Sequence, residues 1–345
     1  MTVFRSLWLS TVTIVGLLGC FVAVGLFVLR KPYRGYAEPE KIVDIERGDS
    51  ARLIAYRMKE NGIVPSTTLF YTYLRLTGKA GAIKAGEYQF TEPMTMAQVA
   101  QKLFRGEVYR HKVTIPEGLI FQDIKPIFLR EGFGPEEDFD GAFNNVEPIS
   151  DLDHQAKNVE GYLFPETYLL SRRAAPRSIL LEMVRGFRKR FDSSRIQRSR
   201  EMGMTVRQVV TLASLIEKET ALDNERYLVS SVYHNRLKEG MLLACDPTVI
   251  YAVRLIRPWD GVIHQSDLQL DSPYNTYRQP GLPPGPIANP GMKSINAALH
   301  PADTGYLYFV SRNDGSHVFS ENLEAHNRAV EQYRRAKSAG VNGRR

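Results

Sequence analysis

Cysteine is nearly absent: the 345 residues hold only Cys20 and Cys245. One lies in an N-terminal apolar run and the other far along the chain, so no intramolecular disulfide is expected and the fold rests on its core. The seven histidines form no HExxH or mixed Cys/His spacing for a metal. There is no G-x-S-x-G elbow, and Cys245 has no base beside it in sequence to make it a nucleophile. No RNA-recognition, KH or zinc-finger signature accompanies the net charge of +7. The positive balance suits an acidic partner, nucleic acid being unsupported by any motif, which leaves anionic lipid headgroups or the carboxylates of a cell-wall polymer.

Charge is also missing from Ser6 to Leu29. As a helix this run is long enough to cross a hydrocarbon layer of about 30 Å. Leu17-Leu18-Gly19-Cys20 resembles a lipoprotein cleavage box, and the run resembles a removable signal peptide. A processing site ends its apolar stretch, whereas this one continues to Leu29, so the segment reads as an uncleaved anchor. Arg5 lies on one side of it and Arg30, Lys31 and Arg34 on the other, and a large domain translocates with little regard to flanking charge. Composition therefore leaves the side open.

What remains, 43% hydrophobic and 24% charged overall, is ordinary globular protein, enough for about two domains. Pro32 and Pro39 stiffen a linker at 31–40. An internal repeat follows, VDIERGDSARLIAYRMKENGI from Val43 and VTIPEGLIFQDIKPIFLREGF from Val113. Each copy reads as strand, Gly turn, amphipathic helix and Gly C-cap. Asp49 or Ser50 is the expected N-cap of the first helix; for the second, Asp123 is the cap candidate, with Pro126 in the first turn. GEYQF supplies another strand, and Met96, Val99, Ala100 and Leu103 share one face of a further helix. The first copy resembles the LysM peptidoglycan-binding module through Gly48-Asp49-Ser50 and Ile54-Ala55. Beyond an acidic loop, PEEDFDGAF, the pattern predicts a basic helix from about Pro176 to Phe191. A mainly helical stretch follows from Thr205 to Lys238, with Thr205 and Gln208 as a capping box. The segment from Pro273 to Gly291 has too much Pro and Gly for regular structure and reads as a functional loop.

Two carboxylates interrupt the helical stretch, in LASLIEKET at 212–220. A helix turns about 100° per residue, so Glu217 and Glu219 point some 200° apart and only one can line a given cleft. Glu217 lies over Ala213 and Ser214, the smallest residues of its turn, where a bulky substrate has room and Ser214 is in hydrogen-bond reach. Glu219 suits an ion pair or a rim position. His300, His317 and His326 read as structural.

LASLIEKET, then SVYHNRL at 231–237, DPTVIYA at 246–252, SPYNTY at 272–277, GLPPGPIANPG at 281–291 and HVFSENLEAHN at 317–327, together with EGYLFPETY from Glu160, resemble in order and spacing the endolytic murein transglycosylases of the YceG/MltG family. The resemblance implies an enzyme that cuts nascent peptidoglycan strands internally, leaving 1,6-anhydro-MurNAc ends, without cofactor or metal. It places the catalytic glutamate at Glu217, the N-terminus in the cytoplasm and the remainder outside the inner membrane, and it implies peptidoglycan synthases as neighbours. The implied chain is α+β: a cytoplasmic stub and transmembrane helix at 1–30, the linker, a LysM-like module at 41–112, and a mixed, mainly helical catalytic domain at 113–340 with a long Pro/Gly-rich loop. Tyr274, Asn275, Thr276 and Tyr277 offer aromatic faces and polar groups suited to sugar recognition, and Asn235 and Asp246 lie in other family motifs. Where the family commonly carries Gln then Ser or Thr before DPTV, this chain has Ala244 and Cys245. Two rivals stand beside this reading: a hydrolytic muramidase pairing Glu217 with Asp246 or Glu166, and a non-catalytic wall-binding scaffold.

Overall fold

The computed structural model describes residues 29–312 and 314–342 together with Phe27, with side chains of the last helix as far as Gln332. The expected anchor and stub fall almost wholly outside the described residues. Among those described, no helix is long and apolar enough to cross a membrane. The chain divides into two compact units: one runs to Lys112 and takes back Leu169–Arg173, the other is Val113–Tyr168 and the chain from Ala174.

In the first unit, alternation makes Lys41–Ile45 a strand, β1, with Val43 and Ile45 buried and Ile42 and Asp44 exposed. Helices α1 (Ala51–Glu60) and α2 (Thr67–Leu76) follow, then β2 (Gly86–Phe90) and α3 (Met96–Arg105). The two strands pair antiparallel, from Lys41 opposite Phe90 to Ile45 opposite Gly86. Ser50 is the N-cap of α1, its Oγ accepting from Leu53 N at 3.2 Å, while Asp49 accepts from Glu46 N and pairs with Arg57. Met96, Val99, Ala100 and Leu103 enter the core as their spacing predicts. There they meet Ile54, Met58, Phe70, Leu74, Tyr88 and Phe90.

The second unit begins at Val113, within β3 (His111–Thr114), and runs on into α4 (Phe121–Arg130), the second copy of the repeat. Its helix begins earlier than expected. Asp123 is therefore no N-cap: it sits in the first turn, its carboxylate held by Arg254 at 2.6 Å, and Pro126 falls a turn later than expected. The cap comes from far along the chain, where Glu160 accepts from Phe121 N at 3.1 and 3.2 Å. The acidic PEEDFDGAF segment is also not a loop but a helix, α5 (Glu136–Phe143). Glu136, Glu137 and Asp138 occupy its first turn, where negative charge suits the helix dipole.

After β4 (Thr167–Leu170), which pairs with β3, come α6 (Pro176–Arg190), α7 (Ser193–Glu201), α8 (Val206–Glu219) and α9 (Asp223–Lys238). Then follow α10 (Asp246–Arg254), the single turn α11 (Gln265–Leu268) and α12 (Met292–Leu299). A hairpin of β5 (Tyr308–Ser311) and β6 (His317–Ser320) precedes α13 (Leu323–Asn342). Helix α8 is the centre of this unit. It packs on α12, α9, α10 and α7, and Val209, Val210, Leu212, Ala213, Leu215 and Ile216 are fully buried. Its capping box is formed as predicted, Thr205 Oγ1 accepting from Gln208 N and Gln208 Oε1 from Thr205 N. Replacing Thr205 by Ala should lower the stability of the protein by about 1 kcal/mol, and Thr205→Ser by much less, read from the midpoint of denaturant unfolding.

Candidate active site

Helix α8 ends in Glu217, Lys218 and Glu219, and the structure treats the two glutamates differently. The Glu217 side chain is only 6% exposed. Its Oε2 accepts from the backbone N–H of Gly291 at 2.9 Å, and Arg226 of α9, equally buried, brings its guanidinium to 3.7 Å from Oε1. Ser214 does not bond Glu217. Its hydroxyl donates to Thr211 O at 2.7 Å and accepts from Ile287 N at 3.0 Å, so the long loop lies over the small residues that were expected to leave room for substrate.

Two backbone segments close on this end of the helix. Gly118, at φ +75, stands where a Cβ would lie 3.5 Å from Glu217 Cγ, and its carbonyl accepts from Lys218 Nζ at 3.1 Å. Gly118 N donates to Asn289 O at 2.9 Å, and Asn289 N returns to Leu119 O at 2.9 Å. The Asn289 side chain is fully buried. Its Nδ2 donates to Leu119 O and to Glu160, and its Oδ1 accepts from Leu163 N. Burial pushes the Glu160 carboxyl up to about 7, against the donors from Phe121 and Asn289 that favour its charge.

Glu117, which sequence reasoning passed over, completes this surroundings of Glu217. A Cβ built on Gly291 would land inside the Glu117 carboxylate, so the two are in close approach. Burial raises the Glu117 carboxyl, the Glu217 charge raises it further, and Arg226 and Lys293 oppose both. Its signal in the sequence was a Glu before the turn glycine of the second repeat.

Glu219 faces another way and is not a rim charge. Its Oε1 accepts from Tyr233 Oη at 2.7 Å and from the Cys245 thiol at 3.0 Å; burial raises its carboxyl, while these two donors resist the rise. Cys245 stands just after Ala244, which adopts φ +46.

Among the described residues, the hydrogen-bond and ion-pair partners of Glu217 are Gly291 and Arg226 and include none of the expected sugar-binding residues. Asn275 and Thr276 are buried and hold the loop itself. Asn275 Nδ2 donates to Leu268 O and Leu270 O and its Oδ1 accepts from Tyr277 N, while Thr276 Oγ1 accepts from Cys245 N and meets Thr248 Oγ1. Asn235 is likewise committed, its Nδ2 donating to Thr304 O and Tyr306 O. In Asn275 and Thr276 these groups are taken up inside the protein, whereas Asn235 is only half-buried. Two expected residues do meet: Tyr277 Oη donates to Asp246 Oδ1 at 2.5 Å. Tyr274 lies half-buried with its ring 4.9 Å from Tyr251. Of the carboxylates weighed as a second group, Glu166 is paired with Arg190 at 2.7 Å. His317 is paired with Glu225, and His326 stacks on Tyr308. Two open cavities of about 570 and 560 Å³, one lined by Glu137 and Arg177 and the other by Arg207 and Pro284, have no contribution from Glu217.

The second unit is thus mainly helical α+β, with a central helix that ends in a shielded, backbone-bonded carboxylate. The sequence matches the YceG-like family over residues 43–332, and the chain belongs to that family. An endolytic murein transglycosylase of Bacillus subtilis is 35% identical over 314 residues, spanning 86% of this chain and 85% of that protein. Another, of Streptococcus pneumoniae, is 27% identical over 331 residues, spanning 86% of this chain and 58% of that protein. A crystal structure of a yceG-like protein from Listeria monocytogenes matches with a TM-score of 0.58 at 29% identity, covering 85% of this chain and 99% of that one.

Burial and the neighbouring Glu219 push the Cys245 thiol well above its usual range. In the folded protein Cys245 should therefore resist a thiol-alkylating reagent at neutral pH and react once the protein is unfolded, which peptide mass spectrometry of the Cys245 segment reads directly.

Proposed function

We propose that the protein is an endolytic murein transglycosylase with Glu217 as its acid and base. The observation that carries this reading is the placement of Glu217: a shielded carboxyl, anchored at one oxygen by Gly291 N–H, within the LASLIEKET motif of a YceG-like chain. The relatives named endolytic murein transglycosylase support the substrate class, peptidoglycan glycan strands.

One carboxylic acid suffices for this reaction because the substrate supplies its own nucleophile. Glu217 protonates the oxygen that links MurNAc to GlcNAc, and the bond from that oxygen to the anomeric carbon breaks. The C6 hydroxyl of the same MurNAc then bonds to the anomeric carbon and returns its proton to Glu217. The products are a 1,6-anhydro-MurNAc end and a free GlcNAc hydroxyl, with no water consumed.

The remaining features extend the reading to its setting. The charge-free run from Ser6 to Leu29 supports a single membrane anchor, and the family resemblance, rather than the flanking charge, supports an enzyme outside the inner membrane. The Gly48-Asp49-Ser50 turn and the β1–α1 unit support a LysM-like module that holds glycan. An enzyme so anchored acts on strands as they emerge, beside peptidoglycan synthases, and thereby ends their elongation. Tyr274, and Tyr277 with Asp246, remain the sugar-facing candidates of the long loop.

Digestion of purified peptidoglycan followed by mass spectrometry tests the proposal. Anhydro-muramoyl ends from internal cuts are expected, and Glu217→Gln should lower their rate by at least about 10²-fold. Reducing ends would make the protein a hydrolase, and an unaffected Glu217→Gln enzyme would remove Glu217 from the reaction.

A further inference from the structure

We propose that Glu117 is a second catalytic carboxyl of the same centre, the group that faces the anomeric carbon as positive charge develops there. The inference rests on the transglycosylase reading above and adds a residue to it.

The geometry points to Glu117 through Gly291. One side of this glycine's peptide donates its N–H to Glu217. The space where its side chain would be is filled by the Glu117 carboxylate. The two acids are thus set on one backbone unit, and only a residue without a Cβ allows it. The position of Glu117 is not left to a flexible chain, because the next residue, Gly118, is bonded to Asn289 and Lys218 and abuts Glu217. Glu117 differs from Glu217 in access: it is an exposed residue, whereas the Glu217 side chain is nearly sealed. Of the two carboxylates, Glu117 is the one open to solvent.

The charges around it fit this use. Glu117 is faced by Glu217 from α8, by Arg226 and Asp223 from α9, and by Lys293 from α12. Arg226 and Lys293 are themselves paired with Asp223, so neither is given over to Glu117. Burial and the Glu217 charge raise the Glu117 carboxyl, while Arg226 and Lys293 hold it down. It is as the anion that Glu117 serves the reaction. As the glycosidic bond breaks, the sugar acquires oxocarbenium character, and a fixed carboxylate beside the anomeric carbon lowers the barrier without forming a bond. The C6 oxygen then bonds to the anomeric carbon on the face the GlcNAc oxygen has left and its proton goes to Glu217, so Glu117 ends the cycle unchanged.

The test compares wild type, Glu117→Gln and Gly291→Ala in the release of anhydro-muramoyl ends over a range of pH, with thermal unfolding measured in parallel. Gln keeps the shape of Glu117 and removes its charge. Ala at 291 keeps the N–H on Glu217, at a φ of −79° that Ala adopts freely, and displaces the Glu117 carboxylate. Both should lose roughly 10²-fold in kcat with little change in KM or unfolding temperature. In Glu117→Gln the acid limb of the rate profile, where Glu117 itself takes up a proton, should also be lost, since Gln has no proton to gain. A merely structural role would leave that limb in place. Glu117→Gln with wild-type kcat and an unmoved profile overturns the role of Glu117 alone. A wild-type enzyme that releases no anhydro ends overturns the transglycosylase reading and this inference together.

Discussion

A carboxylate in the last turn of a helix faces the carbonyl end of the helix dipole, where negative charge is disfavoured. Helix α8 places two there, and much of the second unit can be understood as the means of holding them. Glu217 receives Gly291 N–H and the neighbourhood of Arg226. Glu219 receives the Tyr233 hydroxyl and the Cys245 thiol. None of these donors lies on α8 itself, so each must be brought by another segment and fixed there. Asn289 does this for the first carboxylate: with its amide and backbone it joins Leu119, Glu160 and Leu163 to the strand of loop that ends in Gly291.

This dependence explains which parts of the structure were legible in the sequence. The capping box at Thr205, the apolar faces of α3 and α8, the turn glycines and the irregular course of 273–291 follow from local chemistry, and residues a few positions apart carry all of it. Asp123 was misread for the same reason. It is the nearest capping residue in sequence, but Glu160, buried and remote, supplies the acceptor, and Arg254 takes Asp123. The acidic stretch at α5 was read as a loop, whereas three acids in a first turn favour the helix they begin.

The long loop shows why a site is harder to foresee than a fold. A segment without regular structure must still satisfy its buried backbone groups, and side-chain amides and hydroxyls serve that need as well as they serve a sugar. Asn275, Thr276 and Asn235 have the chemistry of ligand groups and are used as struts. Glu217 could be singled out because the motif resemblance chose between two glutamates that helical geometry had only made inequivalent. The departure at 244–245 is also clarified. The polar contact that Cys245 makes there is the donation of its thiol, a weak donor, to Glu219.

The two copies of the repeat show how little a shared template says about use. In the first, the turn glycine Gly48 has open space beside it, and the strand and helix serve a core of their own. In the second, Gly118 occupies the same place in the motif, yet it is bonded to Asn289 and packed against Glu217. The residue before the glycine changes from Arg47 to Glu117, and with it the turn passes from a simple reversal of the chain to one that sets a carboxylate against Gly291. A strand, a glycine and a helix fix only the direction in which that preceding side chain is carried. What it meets is decided by Gly291, 174 positions later in a chain of 345, and periodicity within either copy carries no trace of that contact.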